Sequence, residues 1–241
     1  MRRITTGPLQ LWACGGDDGD GGGSGPAIVL CHGFGASGDD LVPLARVVDA
    51  GRGVRWFFPE APLEADLGMG PSEDARAWWP IDMMRLQLLL ERGQARDLAA
   101  ETPDGMAEAR VALEASLGAL ERDLGVDPAR TILGGFSQGA MLATEVALHA
   151  ERAFAGLAIL SGALVSEERW REAGSRSGAS IDAIVTHGRR DPILPFDGGR
   201  AVAELLAASG ARVRFVPHGG GHEIPPSALD ALAILARERL G

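Results

Sequence analysis

The chain contains no lysine, and all 23 of its basic residues are arginine. That excludes a Schiff-base or pyridoxal-phosphate lysine, a P-loop lysine and any Ser–Lys dyad. Tyrosine is absent as well, so no phenol serves as acid, base or oxyanion donor. Cysteine occurs only at Cys14 and Cys31, too few for a disulfide framework or a thiolate metal cluster. A reduced cytoplasmic setting is the default expectation for such a chain. Positive charge is scarce: 33 acidic residues against 23 basic ones leave a formal charge of −10. Nucleic-acid binding needs a surplus of cations to displace counterions, so no nucleic-acid partner is expected. The same sign opposes adsorption to anionic membranes. No apolar run approaches the roughly 18 residues that span a bilayer, so no stable membrane insertion is expected.

What is present is globular in character. Hydrophobic residues make up 46% and charged ones 23% of 241 residues, which suits a single folded domain over 1–241 with one core. The opening stretch MRRITTGPLQLWAC loosely resembles a lipoprotein signal, with arginines first and Cys14 last. Thr5, Thr6, Gly7, Pro8 and Gln10 interrupt its apolar part, so Leu9 to Cys14 is expected to be an ordinary strand. The acidic, glycine-rich segment 15–25 lacks a bidentate Glu at calcium-loop spacing and is expected to be a solvated hairpin loop.

Short apolar runs alternate with helical periodicity along the rest of the chain. Residues 26–31 form a continuous apolar run, consistent with a strand buried on both faces, and 54–58, 130–134, 156–160, 181–186 and 212–216 are further short strand-like apolar runs. Helices are expected to start near Asp39 and to lie near 104–124, 138–150, 197–209 and 227–239. This rhythm predicts an α/β fold with a mostly parallel sheet covered by helices on both faces. The segment from about 60 to 102 breaks it. Met69, Trp78, Trp79, Met83 and Met84 make that segment either a packed excursion at the sheet's edge or an apolar wall for a substrate.

Gly135-Phe-Ser137-Gln-Gly139 is a G-x-S-x-G pentapeptide, which a chain this rich in glycine produces by chance with roughly one-in-four expectation. Its context is more telling. A strand-like run precedes it and an alanine-rich helical run follows, the strand–turn–helix that presents a nucleophilic serine at a sharp turn. A serine hydroxyl needs a base, and five histidines are available. His149 falls late in the following helix. His32 and His187 end strands, in awkward chain order. His218 and His222 lie in a glycine-rich loop after the last strand, where one imidazole could sit over the sheet's carboxyl edge. Asp191 follows the strand 181–186 at that same edge, whereas Asp182 precedes it and Asp197 suits a helix start. With His222 as base, Ser137, Asp191 and His222 occur in nucleophile–acid–base order. An oxyanion hole needs two N–H donors. The amide of Gln138 is one candidate, and the glycine-opened loop His32-Gly-Phe34-Gly offers Phe34 as the other.

The pieces LCHGFGASGDD, FFPEAP, AWWPID, ILGGFSQGAMLA, LAILSGAL, THGRRDPILPF and HGGGHEIP together resemble the phospholipase/carboxylesterase family, the α/β-hydrolases that include acyl-protein thioesterases. The resemblance implies an α/β-hydrolase fold with Ser137 as nucleophile, Asp191 as acid and His222 as base. It also implies Phe34 and Gln138 as oxyanion donors, and Trp78 and Trp79 beside an acyl pocket; the apolar composition of the segment adds Met69 as an expected wall residue. The chain departs from the frequent family reading WFD at Trp79-Pro80-Ile81-Asp82. The expected activity is hydrolysis of a small-molecule ester or acyl thioester by a serine esterase, without cofactor or metal, in a monomer or homodimer. A thioesterase or lysophospholipase is the alternative within the class, and a catalytically silent binder of acyl ligands the alternative outside it.

Overall fold

The computed structural model describes residues 1–67, 71–92, 98–177 and 181–241. The chain opens with β1 (Arg2–Thr6), β2 (Leu9–Gly16), β3 (Asp20–Gly22), β4 (Ala27–Cys31), α1 (Leu44–Val47) and β5 (Arg55–Pro59). An excursion follows, made of the ribbon β6 (Leu63–Asp66) and β7 (Pro71–Ala77) and the helix α2 (Met83–Glu91). Next come α3 (Met106–Leu124), β8 (Thr131–Phe136), α4 (Gln138–His149), β9 (Gly156–Leu160) and α5 (Glu167–Ser177). The last elements are β10 (Asp182–Gly188), α6 (Phe196–Ala208), β11 (Arg212–His218) and α7 (Pro226–Leu240).

Among the described residues nine strands form one sheet in the order β1-β2-β5-β4-β8-β9-β10-β11, with β3 beside β2. The β1–β2 and β2–β5 pairs are antiparallel, and every neighbour from β5 to β11 is parallel. Strand β4 shows why these runs are strands. All five residues are buried, with Ala27, Val29 and Cys31 facing a layer that contains Leu113, Met141, Trp170 and Val202 from α3 to α6. Ile28 and Leu30 face the opposite layer, built on Leu232 and Leu235 of α7. Period-two alternation between two apolar layers demands hydrophobic side chains at every position. Helix α4 is apolar nearly all round because it lies under α3 and α5 as well as on the sheet. Its one buried carboxylate, Glu145, accepts from the Trp170 indole at 2.7 Å and from Arg169 at 3.3 Å.

Several local expectations change. No helix starts at Asp39: residues 39–43 form turns, and α1 begins only at Leu44. Pro43 has no N–H, so a helix running through it would lose a backbone bond. The acidic segment is more ordered than a solvated loop. It carries the end of β2 and all of β3, and one Asp18 oxygen accepts the amides of Asp20 and Gly22 at 2.8 Å each. The ribbon β6–β7 and helix α5 were not legible in the periodicity. No described helix is long and apolar enough to cross a membrane.

Because β4, β8, β10 and β11 are parallel, their carboxyl ends meet at one edge. The segments beginning at His32, Ser137, Arg189 and Gly219 all emerge there.

Candidate active site

Ser137 sits between the last residue of β8 and the first of α4 with φ 54° and ψ −118°. Non-glycine residues rarely adopt positive φ, and holding one there costs about 1–3 kcal/mol. The surroundings impose it, since the Ser137 amide donates to Leu160 O at 2.9 Å while α4 begins at once beyond. A side chain at Gly135 or Gly139 would strike the Cys31 carbonyl, at 2.5 and 2.2 Å from the added carbon. The pentapeptide glycines therefore answer to the neighbouring strand β4.

His222, in the loop after β11, turns its ring over this elbow. Its Nε2 lies 2.9 Å from Ser137 Oγ and its Nδ1 2.7 Å from Asp191 Oδ2. The Phe136 ring packs on it with centroids 4.8 Å apart. The loop reaches this position because Gly188 has no side chain; an added carbon would lie 2.1 Å from Gly221 O. Asp191 is fully buried at its side chain, and its Oδ1 accepts the amides of Ile193 and Leu194 at 2.9 Å each. Burial pushes its carboxyl up, but the bonds from His222, Leu194 and Ile193 outweigh it and hold the group below the ordinary carboxylate value. With a carboxylate on Nδ1, that nitrogen carries the proton, and Nε2 is left to accept one from Ser137.

The other histidines take different places. His149 contacts the Glu145 carbonyl at 2.8 Å. His187 is buried, its Nε2 2.9 Å from Leu194 O and 3.5 Å from Asp191 Oδ2, behind the acid rather than facing the serine. His218 Nδ1 accepts the Gly220 amide at 3.3 Å. His32 accepts the Ala61 amide on Nε2 at 3.0 Å and lies 2.8 Å from Gly33 O through Nδ1, which fixes the proton on Nδ1. Burial is the main influence on this imidazole and pushes it down, toward the neutral form. Among the described residues no group of three or more His, Cys, Asp or Glu could hold a metal ion.

Phe34 follows β4 as Gln138 follows β8. Among the described residues neither main-chain N–H has a hydrogen-bond acceptor, so both stay available beside Ser137. The Phe34 loop is anchored to β7: Gly35 donates to Arg76 O at 2.8 Å and Arg76 donates to Ala36 O at 3.1 Å. Gly35, at φ 79°, supplies the left-handed residue this bend needs.

A cavity of about 290 Å³ opens beside Ser137 and His222, walled by Trp79, Met83, Leu86, Met141 and Val165 among others. Larger hollows of about 380 and 560 Å³ lie away from this edge and contain none of these groups. The two adjacent tryptophans part company. Trp79 lines the cavity, backed by the α3 start at Gly105. Trp78 does not line it and is 1% exposed, because consecutive side chains point opposite ways and its indole donates to His32 O at 2.9 Å. Met69 lies outside the described residues. The sequence offered no hint of the Gln138 carboxamide, which accepts the Trp78 amide and donates to Trp79 O, both at 2.9 Å. It did offer a missed signal for Ile193, Leu194 and Pro195, an apolar run straight after Asp191 that lines the cavity.

The chain is similar to known proteins. A phospholipase/carboxylesterase family model matches residues 23–235. The chain is 27% identical to acyl-protein thioesterase 1 of Schizosaccharomyces pombe over 179 residues, covering 74% of each chain. It is 32% identical to acyl-protein thioesterase 1 of Gibberella zeae over 123 residues, where it spans about half of that relative, 52%. Among solved structures, esterase PE8 matches with a TM-score of 0.76 and 26% identity over 100% of both chains. Acyl-protein thioesterase 2 of Zea mays matches in fold, with a TM-score of 0.70 at 22% identity over 96% of this chain and 99% of that one. The α/β-hydrolase architecture is thus common to both.

Proposed function

The chain belongs to the phospholipase/carboxylesterase family of hydrolases, and from that premise we propose that it hydrolyses carboxylic esters through an acyl-enzyme on Ser137. The observation that carries this reading is the unbroken relay Ser137 Oγ–His222 Nε2 at 2.9 Å and His222 Nδ1–Asp191 Oδ2 at 2.7 Å.

Ser137 attacks the ester carbonyl as His222 takes its proton, and the amides of Phe34 and Gln138 receive the charge that develops on oxygen. Asp191 keeps the imidazole in its tautomer and stabilises the imidazolium. His222 returns the proton to the leaving alcohol, then activates a water that releases the acid. The acyl chain enters the apolar cavity past Trp79 and Met83. The relatives named as acyl-protein thioesterases favour a second substrate type, since a thioester passes through the same tetrahedral oxyanion.

The test is p-nitrophenyl butyrate turnover by wild type and Ser137→Ala, with fluorophosphonate labelling of the folded protein. Labelling at Ser137 is expected, with a loss of about a thousandfold or more in the variant. Comparable turnover by both proteins, or wild type that resists the label, overturns the reading and leaves an acyl-binding protein.

A further inference from the structure

We infer that Trp78 is a positioning residue that holds the two oxyanion donors at their working separation, an inference that rests on the Ser137 reading above. The sheet alone does not set this distance. The ladder between β4 and β8 ends at the pair Cys31 and Gly135, and Phe34 and Gln138 each lie three residues beyond it. Trp78 bridges the gap from both sides. Its main-chain N–H donates to Gln138 Oε1 at 2.9 Å, and its indole N–H donates to His32 O at 2.9 Å. The second arm of the Gln138 carboxamide holds Trp79 O, also at 2.9 Å. An unbroken path of covalent and hydrogen bonds therefore runs from Gln138 through Trp78 to His32, Gly33 and Phe34.

Every member of the brace is shielded from water: Trp78 is 1%, His32 1% and Gln138 2% exposed. The His32 ring is itself pinned by the Ala61 amide and lies 5.5 Å from the Trp78 ring. Buried, doubly held hydrogen bonds fix geometry more tightly than solvated ones. Only an indole combines this volume with a donor at its far edge, so phenylalanine would fill most of the space and leave His32 O without that bond.

Oxyanion donors act in the transition state, so a slackened hole lowers kcat and leaves ground-state binding alone. The experiment uses Trp78→Phe, Gln138→Met and the double variant. Each is measured on p-nitrophenyl butyrate and with a butyryl trifluoromethyl ketone, whose adduct with Ser137 carries an oxyanion. A displacement near 1 Å costs up to about a hundredfold, so each single variant should lose about tenfold or more in kcat, with KM changed less than about twofold. Ketone affinity should fall by the same factor as kcat. The double variant should be little worse than either single one, because both cut the same path. A Trp78→Phe enzyme that melts lower but keeps kcat and ketone affinity makes Trp78 a packing residue and overturns the inference. If that variant does not fold, Gln138→Met decides on the same two quantities. Fluorophosphonate labelling of wild type separates the levels: an unlabelled wild type removes the Ser137 reading, whereas a labelled wild type beside an unaffected variant removes the brace alone.

Discussion

Asp191 meets His222 with one oxygen, Oδ2 to Nδ1 at 2.7 Å, and has its other oxygen filled by the Ile193 and Leu194 amides. An asparagine there, with its carbonyl on the two main-chain amides, turns its NH2 to His222 Nδ1 and is satisfied only if the imidazole moves its proton to Nε2. Asp191→Asn is expected to fold and to lose about ten-thousandfold in kcat through the wrong imidazole tautomer. Steady-state turnover and circular dichroism check this together; a loss under tenfold would place the acid elsewhere.

The same pair sets the pH profile. Its carboxyl is held below the ordinary value. Activity requires neutral His222, so kcat/KM should rise with pH and then level off. The stability that Asp191 contributes is complete above the ordinary carboxylate pKa of about 3.9 and is lost as pH falls below it. A rate that falls with rising pH between about 5 and 8 would contradict His222 as base.

His32 gives a separate acid-lability prediction. Burial lowers its pKa, so its contribution is complete above the ordinary value of about 6.5 and lost as pH drops through the lowered one. Protonation would put a hydrogen on the nitrogen that accepts from Ala61. Melting temperature should therefore fall from pH 7 to pH 5. His218 is also pushed down by burial and should add to the same limb. His32→Gln and His218→Gln should each flatten part of the profile, and a double variant as steep as wild type would rule out both.

Trp79 walls the cavity while being 3% exposed. Each methylene buried there is worth about 0.8 kcal/mol until the cavity is full. Trp79→Ala should weaken discrimination between butyryl and octanoyl esters and leave acetyl ester turnover nearly intact. Equal loss on all three, with a lower melting temperature, would mark a purely structural tryptophan.

Turnover by a side-chain nucleophile needs no metal. Activity should survive dialysis against EDTA, and activity lost to chelation and regained with zinc would refute the proposed mechanism.

The strands were legible because they are buried on both faces: Ala27–Cys31 and Gly156–Leu160 carry no polar residue to confuse the pattern. The meeting of Ser137, Asp191 and His222 at one edge was legible because each follows a strand-like run, buried for β8 and β10 and half-buried for β11, and a parallel sheet collects those ends. Trp78 and Trp79 could not be told apart, since their division depends on the facing His32 carbonyl and on Gly105, distant in sequence. The Gln138 carboxamide was hidden for the same reason, its partners being sixty residues away. Helix α5 escaped because only Trp170, Ala173 and Gly174 are buried on it, too few for a clear stripe.

Ser137, His222 and Asp191 stand beyond the ends of strands in the main sheet, where glycines admit no side chain. Part of the cavity wall, Trp79, Ile81, Met83 and Leu86, comes from α2 and the chain before it, outside that sheet, with Met84 76% exposed on the outer face of α2. Descendants of this sequence can therefore exchange one acyl preference for another by altering Ile81, Met83 and Leu86, leaving Trp78 and the strand-end frame in place. Adaptability and invariance reside in different segments of the gene.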